Sequence, residues 1–198
     1  MDNQNILEAA WGFKPCVKRL AIHRKHAVGK VIDYGCAYGS YGLDLVKAGF
    51  EVFFADVDSK FLDTIKVDSA NKFKIQFDEL PFKENQFDTI ILGDVIEHVQ
   101  DLNSFWAQVK KVTSSKILVS VPRRETPFWF KYLNITWKGY EDITHKRYFE
   151  EKELADLADT NWTVEILKYY PRAKFGWLFD LLENIGYYPG YIAIYTKK

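Results

Sequence analysis

The sequence predicts an α/β fold in which helices cover both faces of a largely parallel β-sheet. Short β-branched and aromatic runs alternate with segments whose apolar residues recur at three- and four-residue steps, such as residues 43–48. No charged residue interrupts the first strand run before Asp33, which is typical of a strand buried on both faces. A chain of 198 residues is long enough for one full core, so we expect a single domain over 1–198.

Composition excludes several classes of function. Lys and Arg balance Asp and Glu at 27 each, and this zero net charge disfavours a nucleic-acid partner. Cys16 and Cys36 have neither metal-ligand spacing nor a disulfide framework, so a reducing, cytoplasmic location is expected. The sequence contains no apolar run of about 18 residues and no signal-peptide core, so we expect a soluble chain without an integral membrane segment.

The first 28 residues form a helical segment according to their apolar spacing, and a second helix is expected to begin near Pro15. The stretch that follows, residues 30–42, combines a buried strand, a glycine-rich turn and the start of a helix. Glycine lets the backbone approach a ligand closely, and the start of a helix offers unpaired N–H groups. The stretch therefore predicts a nucleotide-binding site.

The glycine spacing distinguishes between nucleotides. A dinucleotide fingerprint requires glycine at the positions of Gly35, Ala37 and Ser40, and two of these three positions do not hold glycine. The order Asp33-x-Gly35-x-Ala37-x-Gly39 instead resembles the first motif of class I S-adenosylmethionine-dependent methyltransferases, which usually have glycine where Ala37 stands. The resemblance implies S-adenosyl-L-methionine as the cofactor.

The next two strands supply further cofactor residues by the same resemblance. Asp56 follows the strand at 51–55, where a carboxylate accepts the ribose hydroxyls, while Asp58 more naturally caps the next helix. At the end of the strand predicted at 73–77, Gln76 takes the position of an acid that binds the adenine amino group, with Asp78 as the alternative. Phe77 either contacts adenine or packs in the core. The complete set of expected cofactor residues is Asp33, Gly35, Cys36, Ala37, Tyr38, Gly39, Asp56, Val57, Gln76, Phe77, Gly93 and Asp94.

The fourth strand, predicted at 86–92, leads into a second motif similar to the family's Val-Leu-Glu-His-Val segment. Here the segment ends in Glu97 and His98. His98 is a candidate general base, because histidine titrates near neutral pH. The alternative is that the Glu97–His98 pair holds the loop by hydrogen bonds. We expect no metal site, because these two residues have no further ligand near them in the sequence.

A helix at 101–112, a polar turn at 113–115 and a fifth strand at 116–121 precede the acceptor side, an insertion or lid at 123–160. The segment 142–149 resembles the His-x-Arg-x-Phe segment of small-molecule methyltransferases near the ubiquinone-biosynthesis O-methyltransferases, which makes His145 a second candidate base. Basic side chains in this region indicate an anionic acceptor, although a solvated charged loop is the alternative. The candidate substrate residues are Arg123, Arg124, Trp137 and Arg147.

The C-terminal part is predicted to contain a helix at 150–158, strands at 163–169 and 191–196, and between them an apolar helix at 175–185. The apolar helix suits either core packing or a homodimer. The family resemblance implies a three-layer, Rossmann-like sandwich whose seven-stranded, mostly parallel sheet has the order 3-2-1-4-5-7-6. In many methyltransferases a leading segment like residues 1–28 forms a cap over the substrate.

The predicted activity is methyl transfer from S-adenosylmethionine to a small-molecule acceptor that is anionic or aromatic, with O-methylation favoured. The sulfonium methyl is already activated, so the protein mainly aligns the reactants and excludes water. Two other classes stay open from the sequence: a non-catalytic S-adenosylmethionine-binding or interaction domain, and an NAD-dependent oxidoreductase, which the glycine spacing disfavours.

Overall fold

The computed structural model describes residues 16–123, 143–169 and 190–198, and within them it contains one β-sheet flanked by helices. The helices are α1 (Val17–His26), α2 (Ser40–Lys47), α3 (Ser59–Thr64), α4 (Leu102–Val112) and α5 (Glu151–Asp156). The strands are β1 (Lys30–Tyr34), β2 (Glu51–Asp56), β3 (Lys72–Lys74), β4 (Phe87–Gly93), β5 (Thr113–Pro122), β6 (Trp162–Tyr169) and β7 (Gly190–Lys197).

The seven strands lie in the order β3-β2-β1-β4-β5-β7-β6, which confirms the predicted sheet. β1 pairs in parallel with β2 on one side and β4 on the other, and β7 runs antiparallel to both β5 and β6. The order reverses at β1, because the chain first builds outward through β2 and β3 and then returns to β4. Ligands of open α/β sheets bind at the carboxyl ends of the strands beside such a reversal.

Successive strand residues face opposite sides of the sheet, and both sides are covered. Val31 packs in one core cluster with Leu45 of α2, while Ile32 packs in another with Phe105 of α4. Both strand residues are fully buried. Helices on both sides explain why the strand runs carry so few polar residues.

The third strand is shorter than predicted. It ends at Lys74, and the chain then turns away, with Asp78 in the left-handed region at φ 66°. Phe77 therefore lies outside the sheet with 44% of its surface exposed, so the core-packing alternative for this residue is wrong.

The predicted turn at 113–115 is also wrong, because α4 passes directly into β5. The Thr113 hydroxyl donates to the Val109 carbonyl at 2.7 Å and ends the helix, and Thr113 already pairs with Phe87 of β4. The Ser114 hydroxyl donates to Asp88 at 2.7 Å, so polar side chains that suggest a turn instead join two strands.

Several predictions fall on parts of the chain outside the described residues. The first helix, Pro15 and the apolar helix at 175–185 belong to these parts. Residues 124–142, half of the acceptor-side segment predicted at 123–160, also belong to them. Within the described ranges, no helix combines the length and apolar character that a membrane crossing requires.

Candidate functional site

The carboxyl ends of β1, β2 and β4 bring the predicted cofactor residues to one edge of the sheet. The loop after β1 contains Gly35 at φ 69° and Gly39 at φ 73°, backbone conformations that favour glycine. A Cβ atom on Gly35 would lie 2.6 Å from Val95 Cγ2, so a side chain there would collide with the segment after β4. The glycines therefore let the loop lie against its neighbours while its backbone faces the sheet edge.

Ala37 also has a positive φ, 44°, in the same loop. An L-residue in this region is strained by about 1–2 kcal/mol. The Ala37 N–H donates to Asp56 Oδ2 at 2.8 Å, and this bond helps to hold the strained residue in place. The single methyl group that distinguishes this loop from the family's usual motif thus has a conformational cost.

Asp56 connects the loop to the end of β2. Its Oδ1 accepts the Asp58 N–H at 2.9 Å, in addition to the Ala37 bond to Oδ2, and the residue is only 5% exposed. A carboxylate accepts about four hydrogen bonds, so lone pairs remain for ribose hydroxyls. Asp58 accepts the Lys60 N–H at 2.9 Å and caps α3, which confirms its predicted role.

Asp33 lies behind the loop. The residue is buried, and its Oδ2 accepts the Gly42 N–H at 2.8 Å in the first turn of α2. Burial raises the pKa of Asp33 to about 7; the charge of Asp56 adds to this rise, and the Gly42 bond opposes it. Asp33 therefore positions α2 and the glycine loop through the backbone.

The residues predicted to lie beside adenine differ in how far their side chains are available to a ligand. Asp78 Oδ2 accepts the Gln100 N–H at 3.0 Å and its carbonyl accepts from Gln108, so this alternative to Gln76 joins two segments. Its Oδ1 is buried without a hydrogen-bond partner among the described residues. Val57 and Phe77 are 43% and 44% exposed, as expected of side chains available to a ligand.

Two further loop residues of the predicted set face their neighbours. Tyr38 packs edge-to-face on Phe61 of α3, with ring centroids 4.8 Å apart. Cys36 is buried, and burial raises the pKa of its thiol.

An ion pair between the buried Arg19 of α1 and the exposed Asp94 after β4 was not predicted. Both terminal nitrogens of Arg19 donate to the Asp94 carboxylate, and Nη1 also donates to the Tyr41 hydroxyl at 2.7 Å. The guanidinium lies 4.3 Å from the centre of the Tyr169 ring. Burial lowers the pKa of Arg19, but Asp94 and Tyr41 raise it by more, so the side chain stays charged.

Arg19 Nε is a buried donor without a hydrogen-bond partner among the described residues. Nearby, His23 packs edge-to-face on Tyr41 with ring centroids 4.6 Å apart. Burial, together with the charge of Arg19, lowers the pKa of His23 to about 3, so this histidine is neutral at physiological pH. No sequence signal separates Arg19 from the other cations of α1; only the packing of α1 against α2 brings it to Asp94.

The two candidate bases lie together. His98 and His145 have ring centroids 4.7 Å apart, and their ligand-capable atoms lie within 4.8 Å of one another and of the Glu97 carboxylate. The Glu97 carbonyl accepts the Lys146 N–H at 2.8 Å and the Arg147 N–H at 3.3 Å. The backbone of Glu97 thus holds the loop that carries His145, and the fold brings this histidine beside Glu97 and His98.

The predicted substrate residues are only partly described. Arg123 forms an isolated parallel bridge with Phe149, and Arg147 donates to the Gln100 carbonyl at 2.9 Å. Arg124 and Trp137 lie outside the described residues. An open cavity of about 630 Å³ lies between the start of α4 and the segment at 147–153, and its lining comprises Gln100, Asp101, Leu102, Asn103, Arg147, Tyr148, Phe149 and Glu153.

Comparison with known families and curated proteins agrees with this geometry. Residues 32–118 match the methyltransferase domain family. The chain is similar to the ubiquinone biosynthesis O-methyltransferase of Rickettsia bellii, with 24% identity over 186 residues that cover 85% of this chain and 75% of that protein.

Solved structures share the fold. An S-adenosylmethionine-dependent methyltransferase from Archaeoglobus fulgidus superimposes with a TM-score of 0.64 at 18% identity, covering 98% of this chain and 99% of that one. Another from Mesorhizobium loti gives a TM-score of 0.66 at 17% identity, covering 91% and 96%.

Proposed function

Because the chain is a class I S-adenosylmethionine-dependent methyltransferase, we propose that it methylates an oxygen atom of a small-molecule acceptor that is anionic or aromatic. The observation that carries this proposal is the group formed by Glu97, His98 and His145 at the carboxyl edge of the sheet. Imidazole and carboxylate side chains beside a methyl donor are suited to removing a proton from a hydroxyl group.

The residues at the sheet edge fit the cofactor. The loop between Gly35 and Gly39 offers close backbone approach, and Asp56 retains lone pairs for the ribose hydroxyls. The buried Nε of Arg19 has no hydrogen-bond partner within residues 16–123, 143–169 and 190–198, and it is a donor that the cofactor's carboxylate would satisfy. When bound, S-adenosylmethionine supplies a methyl group already activated by its sulfonium.

The chain's own contribution to the reaction is alignment and proton removal. Asp94 pairs with Arg19 and thereby fixes the wall beside the methionine part of the site. His98 Nδ1 lies 2.9 Å from the Thr144 hydroxyl, a contact that restrains the orientation of the imidazole. Either His98 or His145 accepts the acceptor's proton, because the two ring centroids lie only 4.7 Å apart. Holding donor and acceptor about 3–3.5 Å apart then provides most of the rate enhancement.

Two observations support the acceptor class. The Rickettsia bellii relative is named as an O-methyltransferase, which supports oxygen as the methylated atom. Arg123 and Arg147 lie on neighbouring segments, since residue 123 bridges to Phe149, and arginine pairs well with carboxylates and phosphates. The cavity is lined by Asp101 and Glu153 as well as by Arg147, so the anionic preference depends on the two arginines.

The experiment begins with calorimetric titration of the purified chain with S-adenosylmethionine, S-adenosylhomocysteine and NAD. We expect binding of both sulfur compounds and none of NAD. Methyl-labelled cofactor is then offered with matched acceptors: a dihydroxybenzoate, its fully O-methylated analogue and the corresponding aminobenzoate. Label on the dihydroxybenzoate alone supports the proposal, whereas label on the aminobenzoate, or on neither, contradicts oxygen methylation of this acceptor class.

A further inference from the structure

We propose that Tyr41 is a positioning residue for the cofactor: its hydroxyl, together with the Tyr169 ring, holds the Arg19 guanidinium so that one edge stays free for the cofactor's carboxylate. This inference rests on the assignment of Arg19 to that carboxylate under the proposed function. It goes beyond that assignment, because Tyr41 follows the glycine motif and is not among the predicted cofactor residues. Tyr41 acts here through Arg19 and not by touching the cofactor itself.

The Arg19 guanidinium is a fixed fork of five N–H donors, and the described residues use three of them. Asp94 accepts one bond from each terminal nitrogen, and the Tyr41 hydroxyl accepts a second bond from Nη1 at 2.7 Å. The two remaining N–H groups, on Nε and Nη2, lie along one edge of the planar group. Nε is buried without a partner among the described residues. An edge with two parallel N–H groups binds a carboxylate through two hydrogen bonds at once.

The Tyr41 ring is held on two sides, and this fixes where its hydroxyl lies. His23 of α1 packs edge-to-face on the ring, with ring centroids 4.6 Å apart. The ring also lies against Gly93, where a Cβ atom would come within 2.5 Å of Tyr41 Cε2. Gly93 ends β4 and directly precedes Asp94. The ring therefore lies between α1 and the strand end that carries the counter-charge of Arg19.

Tyr169 restrains the guanidinium from a further direction. Arg19 Cζ lies over the Tyr169 ring, 4.3 Å from its centre, a distance typical of a cation–π contact. Tyr169 is the last residue of β6 and is only 4% exposed, so its ring is itself fixed by the core. With Asp94 and Tyr41 bonded to its nitrogens and Tyr169 packed beside its centre, the guanidinium cannot rotate without losing a contact.

The phenol of Tyr41 is a neutral acceptor at physiological pH. Burial raises its pKa to about 12, although the charge of Arg19 opposes this rise. A neutral acceptor orients Arg19 without adding a second negative charge that would repel the cofactor's carboxylate. Phenylalanine at this position would keep the ring and its packing but would remove the hydrogen-bond acceptor of Nη1. The hydroxyl can therefore be tested separately from the ring.

The test is calorimetric titration of the full chain with S-adenosylhomocysteine and with methylthioadenosine, which has the same nucleoside and sulfur but no amino-acid carboxylate. Tyr41→Phe should lower S-adenosylhomocysteine affinity by about fivefold, the effect of one hydrogen bond, and should leave methylthioadenosine affinity unchanged. A merely structural role would change both affinities together. The matched control is Tyr195→Phe, which removes a buried hydroxyl bonded to the Leu154 carbonyl in the other core cluster and should change neither affinity.

A double-mutant cycle tests whether Tyr41 acts through Arg19. Arg19→Met should itself lower S-adenosylhomocysteine affinity by about tenfold or more, and adding Tyr41→Phe should then have no further effect. An undiminished effect of Tyr41→Phe in the Arg19→Met background overturns the inference. If Arg19→Met does not fold, the difference between the two ligands in Tyr41→Phe decides the question.

Three other results are decisive. Unchanged S-adenosylhomocysteine affinity in Tyr41→Phe, or an equal fall for both ligands, overturns the positioning role. Equal affinity of the parent chain for the two ligands also overturns it, because no carboxylate is then recognised. These outcomes are measured without an acceptor, so they are separate from the failure of the proposed function, which would appear as absent oxygen methylation with cofactor binding intact.

Discussion

The two halves of the candidate site are built differently. The cofactor half consists of backbone turns and carboxylates that follow three adjacent strands, and Asp56 alone accepts two N–H groups from its surroundings. The acceptor half consists of side chains from the segments at 94–99 and 143–149, joined through the Glu97 carbonyl. The first half is suited to holding one invariant ligand tightly, while the second can change its side chains, and thus its acceptor, without disturbing the sheet.

The largest expected effect is on stability, and it comes from removing the counter-charge of the buried Arg19 in the cofactor half. Asp94→Ala leaves the Arg19 guanidinium, whose side chain is 9% exposed, without its counter-charge. We expect a loss of about 3 kcal/mol in the free energy of unfolding, measured with urea. The control is Asp44→Ala, which removes the solvated Arg24–Asp44 pair and should cost under about 1 kcal/mol. Equal losses in the two variants would show that burial of the Arg19 guanidinium adds nothing to the cost of losing its counter-charge.

The second prediction concerns cofactor affinity. Asp56→Ala removes the bond to the Ala37 N–H that holds the glycine loop, the bond to the Asp58 N–H and the expected ribose acceptor. S-adenosylhomocysteine affinity should therefore fall by about 2 kcal/mol, or about thirtyfold. Asp58→Ala removes a carboxylate two residues away that only caps α3, and it should leave the affinity intact. Calorimetry of both variants compares them directly; unchanged affinity in Asp56→Ala would remove this residue from the site.

The third prediction isolates the acceptor half. Replacing both Arg123 and Arg147 with alanine should raise KM for an anionic acceptor by about tenfold, because charge-assisted pairing is lost. A neutral acceptor of the same shape and S-adenosylhomocysteine should bind as in the parent. Steady-state kinetics with the paired acceptors provides the measurement, and turnover that stays equal for both acceptors would end the case for an anionic preference.

The smallest expected effect is a gain. Ala37→Gly relieves the positive φ of 44° in the cofactor loop, and we expect the free energy of unfolding to rise by about 0.5 kcal/mol after the flexibility cost of glycine is subtracted. Ala48→Gly is the control, because Ala48 has φ −84° and gains nothing from glycine. This variant should lose about 0.5 kcal/mol. A change of the same sign in both variants contradicts the strain at Ala37.

Most of the fold follows from local patterns, and the errors have physical causes. Buried strands and amphipathic helices leave periodic apolar signals, so β1, β2, β4 and α4 lie close to their predicted ranges. The predicted end of β3 and the predicted start of β5 were wrong, because hydrogen bonds to other segments determine where these strands end and begin. The Thr113 and Ser114 hydroxyls bond Val109 and Asp88, which a turn propensity does not anticipate.

By itself the sequence determined the sheet order, through a recognisable motif, and the class of cofactor, because glycine spacing is a local property of one loop. Tertiary structure alone decided that Arg19 pairs with Asp94 and that His145 lies beside Glu97 and His98. The physical reason is separation along the chain. Contacts within a turn depend on residues that are neighbours in the sequence. Contacts between distant segments form only after the sheet and its helices have packed.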